Sequence, residues 1–332
     1  MNNHDPYGYD QYEEQFDPMR TDRKARRKRK PLANHRPKKA VSEVIDEIAD
    51  TTGVEGTFTT TYHPSKYEAG WLLQSLKTFY NQPLITDVLT LIKGGKEANV
   101  YRCKAHPSTG VEFLAAKVYR PRMFRNLRND KMYRQGRETL TEDGKTVKKT
   151  DHRIMRALGK KSAFGVQVAH TSWLMYEHTT LQRLHSLGAA VPQPFAAADN
   201  AILMGFCGDG LIAAPTLNTV ALESGEAQPL FVEVLRNVEL MLQNDLIHGD
   251  LSAYNILYWE GEITLIDFPQ VTNSQTNSEA RFILDRDITR VCDYFATQGV
   301  DGDAAAIMND LWAQYGYEQE AIPEVDDFED VS

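Results

Sequence analysis

Three side chains in the second half of the chain have the types and spacing needed for phosphate chemistry. In Ile247-His248-Gly249-Asp250-Leu251-Ser252-Ala253-Tyr254-Asn255-Ile256-Leu257, an Asp precedes an Asn by five residues. A second Asp follows an apolar run in Thr264-Leu265-Ile266-Asp267-Phe268. Asp250, on a loop, can accept the proton of an attacking hydroxyl or water. Asn255 returns from the far end of that loop toward a metal, and Asp267 offers a hard oxygen ligand suited to Mg²⁺ between phosphates. A lone Asp and Asn at this spacing would merely cap a turn. The hairpin between them and the second Asp makes the assembly one for phosphoryl transfer.

Upstream residues supply complementary groups. Gly94-Gly95-Lys96-Glu97-Ala98-Asn99-Val100-Tyr101 runs from a glycine turn into a strand, where backbone N–H groups can cradle phosphate oxygens. Lys117 lies sixteen residues beyond Tyr101 within Ala115-Ala116-Lys117-Val118-Tyr119. An ammonium flanked by apolar strand residues needs a carboxylate or a phosphate. Glu177, on a later helix, is the natural partner.

The elements that must position these groups follow from periodicity. Apolar residues Trp71, Leu72, Leu76, Phe79 and Tyr80 recur at helical spacing before Pro83. Strands are expected at Val88–Ile92, Ala98–Cys103 and Val111–Val118, with a turn at 106–110. Residues 120–161 carry fourteen Lys or Arg and little apolar content, which reads as a mobile surface loop with short helical pieces. A helix over Val168–Leu187 ends at Gly188. Ala201–Gly205 reads as a buried strand, Phe231–Asn244 as a helix, and Asn255–Trp259 with Ile263–Asp267 as a compact hairpin. The fold class is therefore α+β, a two-lobed protein-kinase-like architecture with an N-lobe over 92–204 and a C-lobe over 205–315. Residues 56–91 form a short helical extension, and 1–55 and 316–332 read as disordered tails.

The net charge of −9 conceals an asymmetry. Residues 20–39 hold eleven Lys or Arg against one acid, Asp22, so the remainder carries about −19. From Glu318 to Ser332 there are seven acids and no base. A basic arm on an acidic body points to a polyanion such as RNA, the alternative being a solvated tail that aids solubility. No apolar run is long enough to span a bilayer and no secretory signal is read at the N-terminus. Cys103, Cys207 and Cys292 fit no metal-ligand spacing, which favours buried thiols in a reducing cytoplasm.

Together the strings resemble the RIO family of atypical protein kinases and ATPases. They comprise Gly95 to Tyr101, the Lys117 strand, Trp173 with Glu177, and Met204-Gly205-Phe206 before Gly208-Asp209-Gly210-Leu211-Ile212-Ala213-Ala214-Pro215. His248 to Asn255, Ile266-Asp267-Phe268-Pro269-Gln270 and Asp285-Arg286-Asp287 follow in family order over about 200 residues. The resemblance implies ATP and Mg²⁺ as cofactors and a reduced kinase fold without a peptide-docking segment; no Ala-Pro-Glu string follows Asp267. It assigns Lys117 to the α- and β-phosphates, Glu177 to orienting Lys117, and Gly94, Gly95 and Lys96 to the phosphate loop. Met204 would line the back of the adenine pocket, while Gly205 and Cys207 would offer backbone groups to the base. Asp250 would be the catalytic base and Asn255 and Asp267 the metal ligands. Asp267 would also accept a phosphoryl group as an aspartyl-phosphate. The family further implies a ribosomal precursor as partner, through the basic arm 20–39 and the loop 120–161.

The chain departs from the family pattern at Lys93, where a small hydroxyl residue is usual, at Gly205, where an acid is usual, and in the length and basicity of 120–161. No winged-helix module is read before the core. Two other functions compete. Aminoglycoside and choline phosphotransferases share the His248-Gly249-Asp250 and Ile266-Asp267 patterns, but they build a large C-terminal substrate pocket, and only about forty-five residues follow Asp287. A catalytically silent nucleotide-binding scaffold is disfavoured because every catalytic position is filled.

Overall fold

The computed structural model describes residues 60–316 apart from 96, 121–132, 134, 136, 149, 161, 199 and 224. The basic arm, the acidic tail, Lys96 and the first part of the 120–161 loop therefore lie outside the described residues.

Helix α1 (Lys66–Asn81) buries Leu72, Leu76 and Phe79 completely. Their i, i+4, i+7 spacing puts them on one face, and burying each is worth about 1.5–3 kcal/mol. That face packs on a five-stranded antiparallel sheet of order β1-β2-β3-β5-β4. Its strands are β1 (Ile85–Gly94), β2 (Ala98–Ala105), β3 (Phe113–Tyr119), β4 (Pro194–Ala198) and β5 (Ala201–Gly205). Strand β2 alternates buried and half-buried positions, as expected of a sheet with one face on a core. Strand β4 has no counterpart among the expected elements. Its Pro-Phe-Ala-Ala-Ala sequence is poor in β-branched residues and carries a proline, both compatible with an edge position.

Among the described residues between β3 and β4 are the helices α2 (His152–Gly159) and α3 (Ala163–Ser186). The Ser162 hydroxyl caps α3 by accepting from the Gly165 N–H. The helix thus starts five residues before the expected Val168. Gly165 in the first turn weakens the helical signal there, yet a side chain at that position would collide with the Ala157 carbonyl. The described residues of the 120–161 stretch also have a defined path. Leu140 bridges Thr146 across a turn, α2 follows, and Tyr133 is buried in the C-lobe core.

The C-lobe core is built from α4 (Ala227–Leu242), α5 (Ala280–Thr297) and α6 (Ala304–Tyr315) around the hairpin β7 (Ile256–Trp259) and β8 (Glu262–Leu265). A short pair, β6 (Leu246–Ile247) with β9 (Thr272–Asn273), brackets the catalytic stretch. The two-lobed α+β kinase-like fold follows from this arrangement. No helix of the described residues is long and apolar enough to cross a membrane.

Candidate active site

The sheet places Lys117 at the middle of its central strand, paired in register with Val100 on one side and Ile202 on the other. Its ammonium lies 2.6 Å from Glu177 Oε1 on α3 and 2.5 Å from Asp267 Oδ1 beyond β8. One cation thus ties the sheet, α3 and the C-lobe together. The Tyr119 hydroxyl donates to the second oxygen of Glu177. Burial works against the Lys117 charge, but Asp267 and Glu177 outweigh it and raise its pKa. Burial raises the Glu177 pKa despite Lys117. Burial penalises the Asp267 charge, yet Lys117, with smaller help from Lys93, holds its carboxyl below the usual range. The Asp267 side chain remains 41% exposed, so it is ringed by protein but open on one side.

Asp267 has a left-handed backbone, φ 73°, uncommon for a residue other than glycine. Such strain, on the order of 1–3 kcal/mol, persists where the surroundings over-determine the conformation. Here Phe268 is buried against the His248 ring, with centroids 5.0 Å apart. His248 Nε2–H donates to the Ile266 carbonyl at 3.2 Å, and Nδ1 accepts from the Asp250 N–H at 3.3 Å. Burial lowers the His248 pKa, in keeping with a neutral ring bridging the two loops.

Asp250 is held from both sides. Its Oδ1 accepts from Arg290 Nη1 at 2.9 Å, and its Oδ2 from Asn255 Nδ2 at 3.2 Å. The same amide donates to the Asp250 carbonyl at 2.8 Å, so Asn255 keeps its Oδ1 as the atom to offer elsewhere. The Asp250 carboxyl is pushed up to about 6, chiefly by burial, with Arg290 pulling it down and Asp267 and Asp287 pushing it up. Gly249, φ 82°, lets the loop pass the next one, because a Cβ there would lie 2.3 Å from the Gln270 carbonyl oxygen. Helix α5 grips this glycine: Asp287 Oδ2 accepts its N–H at 2.8 Å and Arg286 donates to its carbonyl.

At the strand ends, Gly95 donates to Asn99 Oδ1 at 3.3 Å, and a side chain on Gly95 would meet the Ala98 carbonyl at 2.7 Å. Gly94 has ordinary room around it. Met204 is half-buried opposite Ala115. The Gly205 N–H is committed to the Gln193 carbonyl at 2.8 Å, and the Cys207 carbonyl to the Ala214 N–H at 2.9 Å. The Gly205 N–H is thus spent, while the Cys207 carbonyl keeps one lone pair. Cys103 and Cys292 are buried thiols and Cys207 is partly exposed.

The structure thus brings Lys117, Glu177, Asp250, Asn255 and Asp267 together at the lobe junction. The expected assignments did not include the supporting residues Tyr119, Arg286, Asp287, Arg290 and Arg137. Arg137 donates to the Pro269 and Val271 carbonyls at 2.8 and 2.5 Å and lies over the Tyr176 ring. Only the Asp285-Arg286-Asp287 string carried a signal, as part of the resemblance.

The donor set fits Mg²⁺. Among the described residues no group of three or more His, Cys, Asp or Glu could hold a metal alone. Mg²⁺ is instead bound through one or two carboxylates together with substrate phosphates. Asp267 and the Asn255 Oδ1 are oxygen donors that could supply the protein part of such a site.

The chain is similar to known proteins in sequence and in fold. The RIO domain family model matches residues 99–307. The chain is 33% identical over 232 residues to serine/threonine-protein kinase RIO1 of Chaetomium thermophilum, covering 67% of this chain and 41% of that protein. It is 30% identical to RIO-type serine/threonine-protein kinase Rio1 of Haloferax volcanii (65% of this chain, 66% of that one). It is 28% identical to human serine/threonine-protein kinase RIO1 (65% and 34%). The chain therefore spans 41%, 66% and 34% of the length of these three relatives. A solved Rio2 kinase–ADP/Mg²⁺–phosphoaspartate complex from Chaetomium thermophilum superposes with a TM-score of 0.52 at 18% identity, covering 86% of this chain and 78% of that one. That likeness speaks to the fold.

Proposed function

Because the chain belongs to the RIO domain family, we propose that it is an ATP-dependent serine/threonine protein kinase or ATPase of RIO type. The observation that carries this reading is the Lys117 ammonium bound to both Glu177 and Asp267, beside an Asp250 held by Asn255. Lys117 would hold the α- and β-phosphates, oriented by Glu177. Gly94, Gly95 and Lys96 would form the phosphate loop. The base would be read by the Gly205 carbonyl and the Cys207 N–H, the hinge groups opposite to those already committed, with Met204 behind it. Asp250 would take the proton from the attacking hydroxyl or water.

Asn255 and Asp267 would hold Mg²⁺, which when bound supplies charge neutralisation for the phosphates. Asp267 is also proposed as a transient acceptor. Its carboxylate oxygen attacks the γ-phosphorus, the bond to the β-bridging oxygen breaks, and ADP leaves. Water then attacks the acyl phosphate, Asp250 takes its proton, and phosphate is released with the carboxylate restored. The Rio2 kinase complex is one with a phosphoaspartate, which supports the step here by analogy.

In the cell we propose a nucleotide-driven role on a ribonucleoprotein in the cytoplasm, with a ribosomal precursor as partner. The eleven basic residues of 20–39 support RNA binding, and the three free thiols suit a reducing compartment. The domain division proposed is an N-lobe ending at 204 and a C-lobe at 205–315, with β1 (Ile85–Gly94), which runs across the expected boundary at 92, counted in the N-lobe sheet.

The test is labelled-ATP turnover by the full chain and by Asp250→Ala, offered protein fractions, RNA fractions and small alcohols in parallel. Turnover should vanish in the variant while nucleotide binding persists. Undiminished turnover would remove Asp250 from its role, and transfer to small alcohols alone would favour a small-molecule phosphotransferase.

A further inference from the structure

We propose that Arg290 is a positioning residue for Asp250, setting the orientation of the catalytic carboxylate. The inference rests on the reading of Asp250 as the base. Arg286, Asp287 and Arg290 lie at helical spacing on the face of α5 turned to the catalytic loop. The first two grip the loop's backbone at Gly249. Arg290 grips the side chain of the next residue, through Nη1 to Asp250 Oδ1 at 2.9 Å.

Asp250 is one-third exposed, so packing does not close every side of its carboxylate. Arg290 on one oxygen and Asn255 Nδ2 on the other fix its plane. Each oxygen retains a lone pair for a substrate proton. Arg290 is itself only 13% exposed, unlike a surface charge that happens to reach an acid. The other charged groups around Asp250 are Asp267, Asp287 and Arg286. Of these, Arg286 is the other cation among the described residues, and it is occupied with Gly249, Asp287 and the Tyr133 hydroxyl. Among the described residues, loss of Arg290 would leave the carboxylate with the Asn255 amide as its side-chain donor and a choice of orientations. Misplacement of a reacting group by about 1 Å costs on the order of 100-fold in rate.

The test uses the full chain with Arg290→Met, Arg290→Gln and Arg290→Lys, and Asp250→Ala as reference. ATP turnover gives kcat and KM, and a nonhydrolysable ATP analogue gives affinity. We expect kcat to fall on the order of 100-fold in Arg290→Met and at least about tenfold in Arg290→Gln. The KM for ATP and the analogue affinity should stay within about twofold, since the nucleotide contacts lie elsewhere. Arg290→Lys should recover much of kcat, and Arg290→Met should add nothing in the Asp250→Ala background. If Asp250→Ala is inactive but both neutral variants keep wild-type kcat, Arg290 does not position the base. A parallel loss of kcat and analogue affinity that lysine leaves uncorrected would make it a general brace and overturn the proposal. Should Arg290→Met fail to fold, Arg290→Gln and Arg290→Lys carry the same decision. Turnover by Asp250→Ala would instead overturn the reading of Asp250 itself, and with it this inference.

Discussion

Replacing Lys117 by methionine keeps a long unbranched stem and removes only the charge that joins Glu177 to Asp267. Glu177 is 4% exposed and would be left with the Tyr119 hydroxyl and a backbone bond from Phe268, but no cation. Breaking a buried ion pair from one side costs about 3–5 kcal/mol. The Asp267 arm adds little to that figure, because its side chain is 41% exposed and solvent screens it. Glu177 can limit the loss by taking a proton. Starting from its ordinary value of 4.5, neutralisation at pH 7 costs about 3.4 kcal/mol. The expected destabilisation at pH 7 is therefore about 3–4 kcal/mol. Its sign with pH is fixed by linkage. A carboxyl whose folded pKa is raised contributes stability below its unfolded value and loses it as pH rises. The deficit should thus shrink by about 1.4 kcal/mol for each pH unit below 7 while Glu177 is protonated in the folded variant. Urea unfolding of both proteins from pH 5 to 7.5 measures it. A deficit independent of pH, or one below about 1 kcal/mol at pH 7, would refute the claim that Glu177 depends on Lys117 for its charge.

Three further outcomes are expected. With the Asp250 carboxyl pushed up to about 6, its basic form is depleted below that pH, so kcat/KM for ATP turnover should rise through pH 6; a flat profile between pH 5 and 7 would contradict it. Asn237 is buried on α4, accepts from the Ala190 N–H at 2.7 Å and donates to the Glu233 carbonyl at 2.8 Å. Asn237→Ala should cost about 2 kcal/mol in chemical denaturation, and under about 0.5 would show that the linker after α3 does not depend on it. Gly249→Ala forces a Cβ to 2.3 Å from the Gln270 carbonyl at φ 82°, so a loss of about 3 kcal/mol or of all turnover is expected; near wild-type turnover with unchanged stability would contradict the close approach of the two loops.

Much of this site was legible in the residues. Asp250, Asn255 and Asp267 are close in sequence, so the loop and hairpin that join them show as a local pattern. Lys117 needed only a strand flanked by apolar residues. Its junction with Glu177, sixty residues away, followed from the cost of burying an ammonium unpaired. What stayed hidden depends on approach between distant elements. Nothing about Arg290 on a helix marks it as the partner of an acid forty residues earlier. Arg137 sits in a stretch whose basicity reads as solvated surface, yet it binds carbonyls beside Asp267. The edge strand β4 lacked β-branched residues, and its place comes from pairing with β5 rather than from local preference.

The register of β3 against β5 also sets a distance. Lys117 stands opposite Ile202 and Leu114 opposite Gly205, where the chain leaves the sheet. Three ladder steps separate them, about 10 Å along the strands. The two strands therefore act as a rigid gauge, with a cation at one mark and the exit to the second lobe at the other. Deleting one residue between Leu114 and Lys117 would shorten the gauge by about 3 Å and turn the lysine to the opposite face. Span is thus written in main-chain hydrogen bonds, where side-chain substitutions along β3 and β5 leave it unchanged.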